Sequence, residues 1–506
     1  MAKTPSQKLF RLIHALSSSE KRYFKVIAGA SSKGDKKFLR LFDAIEKQEK
    51  LDEEALREAI YGTTKVETKK FSELKNYLYE FILKALHGYD EQTSVDFQLK
   101  HFLKHIRVLF RRSMFEEAKE MIEKAKPVAV RYEEFTVLIE LLRWEKLIAY
   151  TMIDVAYLNT HLQHIEAQEK EYIEALTNFM AYRNVFYTIY LFLRKNDVVR
   201  SHNDALRLKA IIDTPIFETI DNAKSHKARL LFYRIYSLYY YSLTKFDKFH
   251  LNTKALIALM EERPDFVKED LNEYIVALNN HITSSIWVKV YDEAEENLEK
   301  LYQIKPNTAD EALKIHRQYY LNKFLIAMNT GAFEKGVRNI EQHFKDLEQF
   351  NKQTFERSLF FYSYFYLYFG AGKYSEALDY LNKWTNLSNT IERKDLQSLG
   401  RILTLIIHFE MKNMTLIESL IRSTYRFLST QNVLFEFERK ILQCMREAMN
   451  APNTRQQKVI FTTLKADLEV LAENINESVF LKQFDFLAWI ESKITGRGFG
   501  EIIRGK

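Results

Sequence analysis

The sequence predicts an all-α fold in which antiparallel helix pairs stack side by side as an α-solenoid, preceded by a small helical domain. Three observations carry this. Residues 89–330 contain no glycine. The prolines of that stretch, Pro127, Pro215, Pro264 and Pro306, fall where helices are expected to end. Beyond residue 100 a pattern of aromatic, small and aliphatic residues recurs at helical spacing. Tight turns, bulges and phosphate-cradling loops depend on glycine and proline, so the first two observations argue against β-rich and most nucleotide-binding α/β folds.

Residues 1–90 read as a basic N-terminal helical domain. Ser17 and Glu20 have the spacing of a capping box, in which each side chain satisfies a backbone N–H at the start of a helix. The helix they open, EKRYFKVIAG, is expected to stop at Gly29. DKKFLRLFDAIEKQE follows, then DEEALREAIYG with its stop at Gly62, then VETKKFSELKNYLYEFILKALHG with its stop at Gly88. In the last of these, Phe71, Leu74, Leu78, Phe81, Ile82 and Ala85 fall on one face, which must be buried.

The recurring pattern occupies residues 91–490. It reads SMFEEAKEMI at 113–122, KVYDEAEENL at 289–298, GAFEKGVRNI at 331–340 and GKYSEALDYL at 372–381, with weaker copies near Phe246 and Met414. Each copy describes a helix hairpin. The aromatic residue plugs the corner, and the small residue after it lets the next helix pack closely. A pair of this kind leaves an apolar face that only a neighbouring pair covers, and the 40–45-residue spacing is that of helix-pair repeats.

The chain here resembles the tetratricopeptide repeat (TPR) family. Gly372, Tyr374, Ala377 and Leu381 match the junction between the two helices of such a repeat, as do Tyr291, Ala294, Leu298 and the closing Pro306. Tyr368 falls on the tyrosine of the first helix. The chain departs from the family at Ile282, Phe324 and Phe365, where a small residue is usual, and in its longer period. The resemblance is strongest over 270–385 and does not extend to residues 1–90. It implies a concave groove that binds peptides, lined by Asn279, Thr283 and Trp287, then Gln318 and Asn329, then Tyr362, Tyr366 and Phe369. Aromatic walls with a few amides and hydroxyls suit an extended segment or a partner helix. The alternative is that these rings are interhelical core.

The chain has 506 residues, 46% hydrophobic and 28% charged, which is ample for a large core and excludes a disordered protein. Its formal charge of +7 is concentrated: residues 1–40 hold ten Lys or Arg against Glu20 and Asp35. Lys21, Arg22, Lys25, Lys36 and Lys37 in this segment are the candidates for nucleic-acid contact, since clustered cations neutralise phosphates. The structural alternative is a solvated basic face. The apolar runs LLFYRIYSLYYYSL and LFFYSYFYLYF are too short for a membrane span, and a single cysteine, Cys444, suits a reducing compartment. The expected location is cytoplasmic.

No catalytic constellation is legible. His101 with His105, and His161 with His164, put imidazole pairs on helical faces without the further ligands zinc requires. The tail GRGFGEIIRGK resembles a phosphate loop, but it follows a helix and no helix is expected after it, so residues 491–506 read as a flexible Gly-rich basic tail. The expectation is therefore a non-enzymatic scaffold for a protein or peptide partner, without cofactor, metal or small-molecule substrate. A nucleic-acid-associated regulator using the N-terminal domain is the alternative.

Overall fold

A computed structural model describes residues 5–30, 37–62, 68–196, 202–350, 355, 358–388, 394–430, 436–471 and 483–506. All regular structure among them is helical. The chain divides into two compact units, Met1–Val288 with Gln303–Lys314, and Lys289–Tyr302 with Ile315–Lys506.

The first unit begins with α1 (Pro5–Ala15), α2 (Ser18–Ala30), α3 (Lys37–Lys47), α4 (Glu53–Tyr61) and α5 (Thr68–Thr93). These five close a core of their own, in which Phe24 stacks on Phe42 with ring centroids 4.6 Å apart. The capping box forms: Glu20 accepts from the Ser17 N–H at 2.6 Å, and Ser17 Oγ accepts from the Glu20 N–H at 3.3 Å. One expected stop is corrected, because α5 continues through Gly88. A Cβ at Gly88 would lie 3.0 Å from the Tyr23 hydroxyl, so this glycine serves a close approach between α2 and α5.

The unit continues through α6 (Val95–Phe110), α7 (Phe115–Arg131), α8 (Phe135–Thr151), α9 (Val155–Asn196), α10 (His202–Ile212), α11 (His226–Ser242), α12 (Phe246–Glu261), α13 (Pro264–Glu269) and α14 (Leu271–Trp287). Pro127 does not end a helix as expected; it sits inside α7, one turn before Arg131. The later helices are α15 (Tyr291–Gln303), α16 (Ala309–Thr330), α17 (Phe333–Asp346), α18 (Ser358–Gly370), α19 (Tyr374–Ser388), α20 (Lys394–Glu410), α21 (Met414–Thr430), α22 (Glu436–Asn450), α23 (Thr454–Leu471), α24 (Phe486–Thr495) and α25 (Phe499–Arg504). Sequence neighbours pack as pairs, α6 on α7, α11 on α12, α18 on α19 and α20 on α21 among them.

Eight corners between consecutive helices share one backbone conformation. Ser113, Glu133, Ile153, Thr244, Lys289, Gly331, Gly372 and Lys412 all have positive φ, between 53° and 73°. Each lies two residues before a helix start, at Phe115, Phe135, Val155, Phe246, Tyr291, Phe333, Tyr374 and Met414. At seven of them the next N–H returns to a carbonyl five residues back, as from Lys373 to Tyr368 at 2.9 Å and from Asn413 to His408 at 3.0 Å. This closure satisfies carbonyls that the ending helix leaves open. The recurring sequence pattern marks six of these corners. The two it misses are at Glu133 and Ile153, side chains that ordinarily disfavour the left-handed region.

Residues 491–506 are not a free tail. The chain turns at Gly496, with φ of 78°, and forms α25, whose Phe499, Ile502 and Ile503 are buried. A Cβ at Gly500 would come within 3.0 Å of the Phe333 ring, so that glycine lets the segment lie against α17. No helix among the described residues is long and apolar enough to cross a membrane.

Candidate partner-binding site

Within the first unit, a cleft of about 580 Å³ opens between the start of α6, the α7–α8 corner, α9, α11 and the α13–α14 segment. Its walls are aromatic at Tyr132, Phe179, Phe186, Tyr187 and Phe266, and charged at Arg183, Lys227, Arg234, Glu134, Glu269 and Glu273.

The left-handed corner at Glu133 builds one side of the cleft. Its carboxylate accepts from the backbone N–H groups of His226 at 2.7 Å and Lys227 at 2.9 Å, the first two residues of α11. Ser225 Oγ accepts from the Ala228 N–H at 3.1 Å. Three N–H groups that a helix start leaves without intrahelical partners are thereby satisfied, two of them by an anion that complements the helix dipole. Beside this cap, Lys227 pairs with Glu134 at 2.6 Å.

Helix α13 latches the same corner. Asp265 accepts from Arg263 at 3.1 Å and from Arg131 at 3.0 Å, and the Arg263 hydrogen bond holds its carboxyl well below the usual carboxylate range. Arg263 also donates to the Arg131 carbonyl at 2.8 Å, and the rings of Tyr132 and Phe266 lie 5.6 Å apart. Glu269 accepts from the Val95 N–H at 2.9 Å, which ties α13 to the first turn of α6.

Most charges around the cleft are committed in this way, including Arg234 to Glu273. Two groups are not. The Arg183 guanidinium lies over the Phe179 ring at 5.3 Å, and no carboxylate pairs with it among the described residues. His226 Nε2 is buried without a hydrogen-bond partner, and burial lowers the pKa of its ring, which favours the neutral form. The cleft thus presents a guanidinium between aromatic walls, an arrangement complementary to an acidic group flanked by apolar ones, while His226 Nε2 is closed off from solvent.

The groove residues expected from the family resemblance lie elsewhere. In the first unit Asn279 and Thr283 are half-buried on α14, where Thr283 Oγ1 donates to the Asn279 carbonyl at 2.8 Å. Trp287 turns toward α11 and α12, with Phe246, Tyr241 and Phe249 at 4.7, 5.8 and 6.0 Å. In the second unit Gln318 is half-buried with its Oε1 unpartnered, and Asn329 is exposed and donates to the Leu325 carbonyl. Tyr366 and Phe369 are buried, against Phe484 at 5.4 and 5.3 Å and Phe499 at 6.0 and 5.4 Å. The Tyr362 hydroxyl donates to the Gln483 carbonyl. The face of α18 assigned to a partner is therefore covered by residues 483–499 of the chain itself.

The N-terminal cations are partly neutralised within their own domain. Lys21 pairs with Glu46 at 3.3 Å, and Lys25 with Asp43 and Glu46, both at 2.8 Å. Lys37 lies over the Tyr61 ring at 5.3 Å, Arg22 is exposed, and Lys36 lies outside the described residues. Among the described residues no group of three or more His, Cys, Asp or Glu is placed to hold a metal ion. Cys444 is buried, and burial pushes its thiol up to about 12. His281, Ser284 and Thr253 form a buried network between α12 and α14 that half-buried His250 joins, with Thr253 Oγ1 2.9 Å from Ser284 Oγ and 3.1 Å from His281 Nδ1.

No family model matches the chain, and neither a curated protein nor a solved structure is found to be similar to it.

Proposed function

We propose that the chain is a TPR-like α-solenoid acting as a non-enzymatic, cytoplasmic interaction scaffold, and that it holds a segment of a partner protein in the cleft of the first unit. The observation that carries this reading is Arg183, a guanidinium that no carboxylate pairs with among the described residues, set among aromatic walls whose other charges are already satisfied. An acidic side chain or a chain terminus docked there gains charge-assisted hydrogen bonds, and its apolar neighbours gain contact with Phe179, Phe186 and Tyr187. The recurring corners support the repeat architecture, because a common turn geometry joins the two helices of successive hairpins in the same way.

The test is affinity capture from the native cell extract with wild-type protein and an Arg183→Glu, Tyr187→Ala variant, each in nuclease-treated and untreated halves. Support is a stoichiometric protein that survives nuclease and is retained by wild type but lost by the folded variant. A partner held equally by both removes the cleft from the reading. Material lost on nuclease treatment transfers the function to the N-terminal cations.

A further inference from the structure

Helix α6 and its C-cap carry a row of cations on their outer face. Between Asp96 and Glu116 the chain holds no acidic residue but five basic ones, Lys100, Lys104, Arg107, Arg111 and Arg112. The first four follow at steps of four, three and four residues, so they share one face, and all five are exposed. The nearest carboxylates along the chain are committed, Asp96 to Lys100 at 2.5 Å and Glu116 to Lys119 at 3.5 Å, while Glu117 stands past the corner on α7. No carboxylate pairs with Lys104, Arg107, Arg111 or Arg112 among the described residues. Like charges at this spacing repel one another. The helix dipole favours Arg107 and Arg111 at the C-terminal end but does nothing for Lys104 in the middle.

What else the face offers selects the partner. Leu99, Phe102, Leu103, Ile106, Leu109 and Phe110 pack into the core with α7 and α8, and Phe97 lies under the Lys100 ammonium at 6.0 Å. That leaves Val108 as the apolar surface among the cations. A membrane surface or a protein interface needs apolar contact beside the charges, and a single strand needs rings on which its bases stack. The backbone of a duplex needs neither, because it offers a phosphate about every 3.4 Å of axis on each strand. The row from Lys100 to Arg111 is about 16 Å long and spans about five of them. We propose that α6 is a second binding surface, which takes double-stranded DNA by its phosphate backbone without reading sequence. None of its cations lines the cleft, so the two surfaces stand or fall separately.

Fluorescence anisotropy of a labelled DNA duplex of about 20 base pairs, titrated with the full chain over a salt series, tests this. Four cations without a carboxylate predict a slope of log K against log salt of about −3.6, a loss of about a hundredfold between about 50 and 200 mM. The triple variant Lys104→Gln, Arg107→Gln, Arg111→Gln, at exposed positions where circular dichroism checks the fold, should flatten the slope to about −0.9 and weaken binding by about tenfold or more. Asp96→Asn frees Lys100 and should steepen the slope by about 0.9, a gain that damage to the fold would not produce. A duplex of scrambled sequence should bind equally, and Lys21→Gln, Arg22→Gln should leave the slope unchanged. Absence of binding at about 50 mM salt overturns the proposal, as does a slope that the α6 variant leaves intact or that the N-terminal variant removes. A preference of about tenfold or more for one sequence overturns it too. So does binding of anionic phospholipid vesicles in place of the duplex.

Discussion

Glu133 holds the start of α11 at His226. Its carboxylate takes the first two N–H groups of that helix at 2.7 and 2.9 Å, from a corner where its own φ is 53°. The backbone conformation is unfavourable for a residue with a Cβ by about 1 kcal/mol, and hydrogen bonds to a charged group contribute about 1.5–3 kcal/mol each. Replacement by glycine relaxes the corner and removes the cap. The expected net result for Glu133→Gly is a loss of about 2–5 kcal/mol in urea unfolding, and for Glu133→Gln a smaller loss. A more stable glycine variant would mean that the cap contributes less than the strain.

The second unit should weaken in acid through a pair of histidines. His316 Nε2 and His343 Nδ1 lie 3.1 Å apart in a buried ring cluster, and burial lowers their pKa values to about 4 and about 3. In the unfolded chain they return to about 6.5, so unfolding takes up protons below that pH. Their contribution to stability is fully present above pH 6.5 and falls as pH drops toward 4, by up to about 1.4 kcal/mol per pH unit for each ring. His343→Gln should therefore flatten the pH dependence of unfolding between pH 6.5 and 4 and leave its slope above pH 7 unchanged. Identical acid slopes for variant and wild type would assign the loss to other groups.

Gly370→Ala should destabilise the α17–α18 contact. A Cβ there would lie 2.2 Å from Phe333 Cδ1 and 2.4 Å from Cε1, against a ring that is itself fully buried. Overpacking of this kind costs about 1–3 kcal/mol. Gly372→Ala, whose Cβ meets nothing within 4 Å but whose φ is 73°, should cost about 1 kcal/mol. Paired denaturation curves distinguish steric from conformational cost by that order.

Phe499→Ala should cost about 3–5 kcal/mol in stability and raise binding of a hydrophobic dye. Its ring stacks on Phe484 at 5.6 Å and lies 5.7 Å from Phe333. Unchanged unfolding would restore residues 491–506 to the status of a free tail.

The helical class was legible because absent glycine is a local property, and six corners were legible because a large apolar plug repeats, aromatic at five of them and Met414 at the sixth. The corner at Glu133 was not, since its left-handed conformation is compensated by a contact 93 residues away that leaves no local trace. The stop expected at Gly88 failed for a related reason: a helix glycine also serves packing, and only the position of Tyr23 decides which. Tyr362, Tyr366 and Phe369 were assigned to a partner-binding groove with interhelical core as the alternative, and no pattern in α18 announces that the cover comes from Phe484 and Phe499. Arg183 carried a signal that passed unused, a lone cation within the aromatic run NFMAYRNVFY. His226 carried a weaker one, directly after the capping Ser225.

The cover over α18 also sets an order of events during synthesis. Most helices here find their partner in the next one along the chain, so they can pair soon after leaving the ribosome. Tyr362 instead waits for Gln483, 121 residues later, and until residues 483–499 emerge an aromatic helix face stands open to water. Until then the growing chain carries an uncovered aromatic surface of the kind that makes partly folded chains prone to aggregate. The α18 face therefore passes from exposed to covered in one late step, set by the arrival of residues 483–499.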